Sequence, residues 1–176
     1  EDAIKAEEFL ATAKNIAVIG GGMTGVEVAR ITQDRGIQTT LIHRNKNLLN
    51  DYLDEPASRL LESWMNAEGT RLLLNTEVTE ISVDGENTVV QTANGQKIAV
   101  DGVIFTIGFR PNSYLLNQQV ELGDRGAVVV DEYMQTSCPD VFAVGDVSTT
   151  YVKFIRRESL SSTCVRCCSR RRNCGD

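Results

Sequence analysis

Three glycines, Gly20, Gly22 and Gly25, stand in the spacing G-x-G-x-x-G where the apolar run Ile16-Ala17-Val18-Ile19 ends. Each slot has its own physical task. The first permits a tight turn out of a strand, the second lets backbone approach a diphosphate, and the third lets a helix pack close to the strand. Backbone amides from Gly22 through Met23, Thr24 and Gly25 would open that helix, at the positive end of its dipole. The chemistry this pattern supports is the holding of an anionic dinucleotide by main chain.

A second group lies about 20 residues further on. Folds of this type that take NAD place Asp or Glu there to bind the ribose 2′-hydroxyl. Here the position is His43, followed by Arg44 and Lys46. A carboxylate would repel a 2′-phosphate, whereas a guanidinium and an ammonium hold one, so the expected ligand is NADPH, with NADH the alternative. The competing reading is that Arg44 and Lys46 are solvated loop charges and that the isolated His43 is structural.

These residues need a scaffold. The spacing predicts a helix over Ala3–Lys14, a strand over Ile16–Ile19 and a helix over Thr24–Arg35 that stops at Gly36. A strand at Thr39–His43 completes a βαβ unit. A helix opening near Pro56 runs to Gly69, and Arg71–Leu74 forms a third strand. Then the pattern changes: Val78–Val83, Thr88–Thr92 and Lys97–Val100 alternate apolar and polar, separated by Asp84-Gly85 and Asn94-Gly95. A small antiparallel meander is expected there. The main sheet resumes at Val103–Thr106, with further strands at Ala127–Val130 and Val141–Val144. The fold class is α/β, a Rossmann-like domain with a central parallel sheet and this inserted meander.

Composition narrows the function. The chain has 176 residues, 41% of them hydrophobic, and no apolar stretch of membrane-spanning length. No secretory segment opens it, and a cytoplasmic location is expected. Of its 18 basic and 24 acidic residues, seven basic and two acidic ones fall after residue 150, leaving 11 basic and 22 acidic groups in residues 1–150. That body lacks the clustered basic face a polyanion needs, which excludes nucleic-acid binding. Cys138 is the one cysteine of this body and has no partner cysteine close in sequence. Cys164, Cys167, Cys168 and Cys174 crowd the end, where they are too close together for the paired ligands of a zinc finger. Residues 151–176 are expected to be a basic, cysteine-rich, disordered tail, with 1–150 the functional body.

Three segments now line up in order. Gly25-Val26-Glu27 follows the fingerprint, Thr106-Ile107-Gly108-Phe109-Arg110-Pro111-Asn112 follows a buried strand, and Thr136-Ser137-Cys138-Pro139-Asp140-Val141-Phe142-Ala143-Val144-Gly145-Asp146 closes the series. This order resembles the nicotinamide-nucleotide domain of the pyridine nucleotide-disulfide oxidoreductases. Within them it is most similar to the NADH oxidase, NADH peroxidase and coenzyme A-disulfide reductase branch. Leu41-Ile42-His43-Arg44 also resembles the coenzyme A-disulfide reductases, which use NADPH.

The resemblance implies roles. Gly145 and Asp146 would approach FAD, with the carboxylate accepting hydrogen bonds from its hydroxyls. Ile107 and Gly108 would pass beside the nicotinamide nucleotide, and Glu27 would lie near the nicotinamide pocket. Plain turns at Gly108 and Asp146, and an acid of the first helical turn paired to Arg30, are the structural alternatives. The family also implies an amino-terminal FAD domain with a redox cysteine, neither found in this sequence, and a homodimeric parent. The expected function is the NAD(P)H-binding portion of an enzyme passing hydride from NAD(P)H to flavin and on to a disulfide, peroxide or oxygen. The fragment alone is expected to be inactive, and no catalytic residue or metal ligand is assigned in it. The alternative is a truncated nucleotide-binding module without chemistry; a flavin-independent dehydrogenase ranks last for want of a proton donor.

Overall fold

In the computed structural model, residues 2–85, 87–116, 118–152 and 157–160 are described. The chain divides into two compact units, Glu1–Ile107 and Gly108–Asp176.

In the first unit the elements run α1 (Asp2–Leu10), β1 (Asn15–Ile19), α2 (Met23–Asp34), β2 (Gln38–Ile42), α3 (Glu55–Ala67), β3 (Arg71–Leu73), β4 (Val78–Asp84), β5 (Asn87–Thr92), β6 (Lys97–Val100) and β7 (Gly102–Phe105). Four strands form a parallel sheet in the order β3-β2-β1-β7, with Val18 opposite Leu41 on one side and Ile104 on the other. The other three, β4-β5-β6, form the antiparallel meander expected from the alternating segments.

The apolar run of β1 follows from burial on both faces. Ile16 and Val18 join Leu41, Ala29 of α2 and Met65 of α3 in one core. Ala17 joins Ile42 and the meander residues Val90, Ile98 and Val100 in a second. Ile16, Ala17 and Leu41 have no exposed surface, and burial of each large aliphatic side chain contributes about 2 kcal/mol. In β6 the period-two pattern holds, since Ile98 and Val100 are buried while Lys97 and Ala99 are exposed; β4 is exposed from Thr79 to Asp84, Ile81 and Val83 included. Asp101 links it back to β1: its carboxylate accepts from the N–H groups of Lys14 (2.6 Å) and Asn15 (2.9 Å).

Helix α3 is capped by Asp54, whose carboxylate accepts from the Ala57 N–H at 3.0 Å, with Pro56 in its first turn. Buried Thr32 on α2 donates to the Val28 carbonyl and meets the Thr39 hydroxyl of β2 at 2.9 Å, joining helix to strand.

The second unit is loop-rich. Its core gathers Val120, Val128, Val130 and Ala143, with Leu122, Met134 and Cys138 packed against them. The strands expected at Ala127–Val130 and Val141–Val144 do not form as extended ladders. Val128 makes single bridges to Leu122 and Ser148, and Phe142 makes one to Gln135. The reason is divided pairing: the Val129 N–H goes to Glu121, whereas the Val128 N–H goes to Val147. No one partner is followed long enough to make a strand. Further on, β8 (Thr149–Val152) pairs antiparallel with β9 (Arg157–Leu160). Residues 153–156 and 161–176, including the four clustered cysteines, lie outside the described residues.

Candidate functional site

The fingerprint loop sits between β1 and α2, against the carboxyl ends of β2 and β7. The Gly20 N–H donates to the Ile42 carbonyl at 2.9 Å, and Thr106 donates its N–H to Ile19 at 2.8 Å. The Thr106 hydroxyl reaches the carbonyls of both Ile19 and Gly20 at 3.0 Å. Thus three strand ends hold one turn.

The glycine slots differ as their tasks require. Gly20 has φ +117°, and a Cβ there would meet the Thr106 carbonyl oxygen at 2.5 Å. A Cβ on Gly25 would fall 1.8 Å from the Gly20 carbonyl oxygen, so the start of α2 lies directly on the turn. Gly22 is the reverse: nothing stands within 4 Å of the space its Cβ would fill. It is the N-cap of α2 and, being glycine, brings no side chain that could cap the helix amides. Among the described residues, no acceptor meets the N–H groups of Gly22, Met23, Thr24 or Gly25. This is an open row of donors at a helix amino terminus, the arrangement that receives a diphosphate.

Gly21, which the motif reading does not single out, is also constrained. Its Cβ would meet the His43 ring and the Leu48 side chain, both at 2.6 Å. Its N–H donates to His43 Nδ1 at 3.0 Å, and its carbonyl accepts from the Leu49 N–H at 2.9 Å. Across the ring, His43 Nε2 lies 3.2 Å from Asn50 Oδ1. The one histidine therefore braces the glycine loop. A third consecutive glycine in the sequence is the signal that a close approach was needed there; nothing in the sequence points to Thr106 or Asn50.

Arg44 and Lys46 follow on the exposed loop, in different circumstances. Lys46 Nζ pairs with Glu55 Oε1 at 3.0 Å, and Arg59 shares the same carboxylate. The Lys46 bond first, then that of Arg59, holds the Glu55 carboxyl below its ordinary range. Arg44 has no ion-pair partner among the described residues. It lines an open cleft of about 600 Å³ with Asn45, Asn75, Thr76, Glu77 and Asn94.

Glu27 is exposed and is the fifth residue of α2, outside the first turn where an acid was expected. The alternative pairing with Arg30 does not form. That guanidinium bonds Asp34 at 2.5 Å and sits 5.2 Å from the Trp64 ring centroid. Ile107 closes the first unit after β7 with 73% of its surface exposed.

Gly108, Gly145 and Asp146 belong to the second unit. Gly108 (φ +105°) and Gly145 (φ +83°) both have open space where a Cβ would stand. Gly145–Val147 is a single 3₁₀ turn closed by the Ser148 hydroxyl donating to the Gly145 carbonyl at 3.0 Å. Asp146 is exposed. Cys138 is a free, half-buried thiol. No cluster of three or more metal-ligating side chains occurs among the described residues. No helix among them is long and apolar enough to cross a membrane.

A parallel sheet with an open glycine turn before α2 and an inserted antiparallel meander makes a Rossmann-like domain. Residues 1–163 match the family model described as pyridine nucleotide-disulphide oxidoreductase. The chain belongs to that family, and the match runs past residue 150, where the motif resemblance ends. It is 38% identical over 140 residues to an NADH oxidase of Enterococcus faecalis, covering 79% of this chain and 31% of that protein. Among solved structures it resembles the water-forming NADH oxidase of Lactobacillus brevis bound to NADH, with 28% identity and a TM-score of 0.87, over 96% of this chain and 37% of that one. An engineered NADPH oxidase derived from that enzyme, bound to NADPH, matches with the same identity, TM-score and coverage. The chain therefore spans about a third of the length of these relatives.

Proposed function

We propose that this chain is the NAD(P)H-binding portion of an FAD-dependent oxidoreductase of the NADH oxidase type, and that it prefers NADPH. The observation that carries the reading is the donor row from Gly22 to Gly25, without a protein acceptor among the described residues, together with the empty space where a Gly22 Cβ would stand. The diphosphate of the dinucleotide rests on those amides, and Met23 and Thr24 supply two of them.

Preference for the 2′-phosphate rests on Arg44. It follows His43, which stands where NAD-binding folds carry an acid, and it has no competing carboxylate partner among the described residues. Lys46 contributes less, because Glu55 already holds it. The engineered NADPH oxidase gives support from chemistry: its changes replace an aspartate by alanine and the next residue, an alanine, by arginine. The same pattern stands here, with His43 in place of the usual acid and Arg44 after it.

Ile107 and Gly108 flank the nicotinamide, and Glu27 lies on the helix near it. Gly145 and Asp146 serve the flavin, with the exposed carboxylate accepting from its hydroxyls and the open Gly145 permitting close approach. Both residues fit that use, since neither is enclosed. The flavin, when bound in the complete enzyme, supplies acceptance of hydride from the nicotinamide and delivery of electrons to a disulfide, peroxide or oxygen. The chain's own contribution is to hold and orient the nucleotide.

Calorimetric titration of the chain with NADPH and with NADH tests the reading. Tighter binding of NADPH is expected. Equal or reversed affinities overturn the assignment to NADPH, and no binding of either overturns the reading as a whole.

A further inference from the structure

We infer that His43 is a positioning residue that shapes the fingerprint loop for the diphosphate, and that its protonation weakens nucleotide binding. The inference rests on the reading of the loop as a dinucleotide site. It changes the part played by His43, from ribose contact to brace.

The geometry assigns the tautomer. The Gly21 N–H points at Nδ1 from 3.0 Å, so Nδ1 must present a lone pair. Nε2 then carries the hydrogen and donates to Asn50 Oδ1 at 3.2 Å. That oxygen also accepts from Asn45 Nδ2 at 2.9 Å, while Asn50 Nδ2 donates to Asp51 Oδ1 at 2.9 Å. The Asn50 amide is thereby oriented with its oxygen toward the ring, and the neutral imidazole is the form that satisfies every contact. Behind it, the ring lies where a Gly21 Cβ would stand, so loop and imidazole pack without a gap.

A second proton on His43 turns Nδ1 into a donor facing another donor. The Gly21 hydrogen bond is lost, and the turn that aligns Gly22, Met23, Thr24 and Gly25 loses its brace. The opposing possibility is direct attraction of the diphosphate by an imidazolium, which strengthens binding in acid. The two mechanisms predict opposite slopes.

Neighbouring charges do not confuse the measurement. Arg44, Lys46 and Asp51 on the same loop, Glu55 and Glu62 on α3 and Glu27 on α2 are side-chain types that ordinarily keep their charge from about pH 5.5 to 8. Imidazole is the type that does not, and His43 is the sole histidine of the chain. NADH is the suitable probe, because the 2′-phosphate of NADPH takes up a proton in the same range.

The experiment titrates NADH into the 176-residue chain at about pH 8 and about pH 5.5, for wild type, His43→Asn and His43→Leu. Asparagine places its Oδ1 near the position of Nδ1 and cannot be protonated there; leucine fills the space without an acceptor. Wild type is expected to lose about fivefold in affinity on acidification, a change of the size of one hydrogen bond. His43→Asn should bind like wild type at pH 8 and hold that affinity at pH 5.5. His43→Leu should bind about fivefold more weakly at both. Wild-type affinity that rises in acid, or His43→Leu that binds like wild type at pH 8, overturns the inference and leaves the nucleotide site standing. Wild type that binds neither NADH nor NADPH overturns the site itself. Thermal melts of each variant show that they are folded, and if His43→Leu does not fold, the two pH profiles of wild type and His43→Asn decide.

Discussion

Helix α2 begins so close to the turn before it that a Cβ on Gly25 would stand 1.8 Å from the carbonyl oxygen of Gly20. No side-chain rotation relieves that contact, because the oxygen is backbone and the position of a Cβ is fixed by its own backbone. Gly25→Ala should therefore unfold or severely destabilise the chain, by about 4 kcal/mol or more. Urea melts followed by circular dichroism would measure it, and a variant within about 1 kcal/mol of wild type would contradict the packing described.

Gly22 separates binding from folding. Its φ of −78° is open to any residue, and its Cβ would meet nothing within 4 Å. Gly22→Ala should melt close to wild type yet bind NADPH at least about tenfold more weakly, since the methyl group occupies the space proposed for the diphosphate. Undiminished affinity would move the ligand elsewhere.

Arg44 and Lys46 should differ in effect. Arg44→Ala is expected to weaken NADPH binding about tenfold, the equivalent of 1.4 kcal/mol, and to leave NADH binding within about twofold. Lys46→Ala should cost less, because its ammonium is engaged by Glu55 at 3.0 Å. Parallel loss of both nucleotides in the Arg44 variant would mean that it does not read the 2′-phosphate.

How much of this was legible beforehand depended on how local each cause is. The G-x-G-x-x-G turn, the first βαβ unit and the meander are written in neighbouring residues, as apolar runs, glycine spacing and the Asp-Gly and Asn-Gly turns. The brace between Gly21 and His43 joins residues 22 positions apart, and the Thr106 hydroxyl reaches back 86 positions to Gly20. Such contacts have no local pattern. The same holds for Ala127–Val130 and Val141–Val144, whose apolar residues read as strands. Val128 and Ala143 are buried, but the hydrogen bonds around them go to several loop segments. Lys46 and Arg44 look alike in sequence, and only the placement of Glu55 distinguishes them.

Asp101 offers a test of stability against pH. The N–H of Lys14, and after it that of Asn15, hold its carboxyl below the ordinary aspartate range. A carboxylate with a lowered pKa in the folded state adds stability above the unfolded value, near pH 4, and loses it as pH falls through the lowered value. Asp101→Asn should reduce stability by about 1 kcal/mol at neutral pH, given the exposure of the group, and the difference from wild type should shrink as the pH falls below the ordinary aspartate value. A gap that persists undiminished in acid would point to some cause other than these two hydrogen bonds.

The central claim is that amides at the head of α2 receive the dinucleotide. Amide-resolved NMR of the nitrogen-15-labelled chain during NADPH titration tests it most directly. The account predicts that the signals of Gly22, Met23, Thr24 and Gly25 shift together and saturate with one dissociation constant, while those of the β4–β6 meander remain in place. Saturable shifts confined to other residues, with these four unmoved, would contradict it.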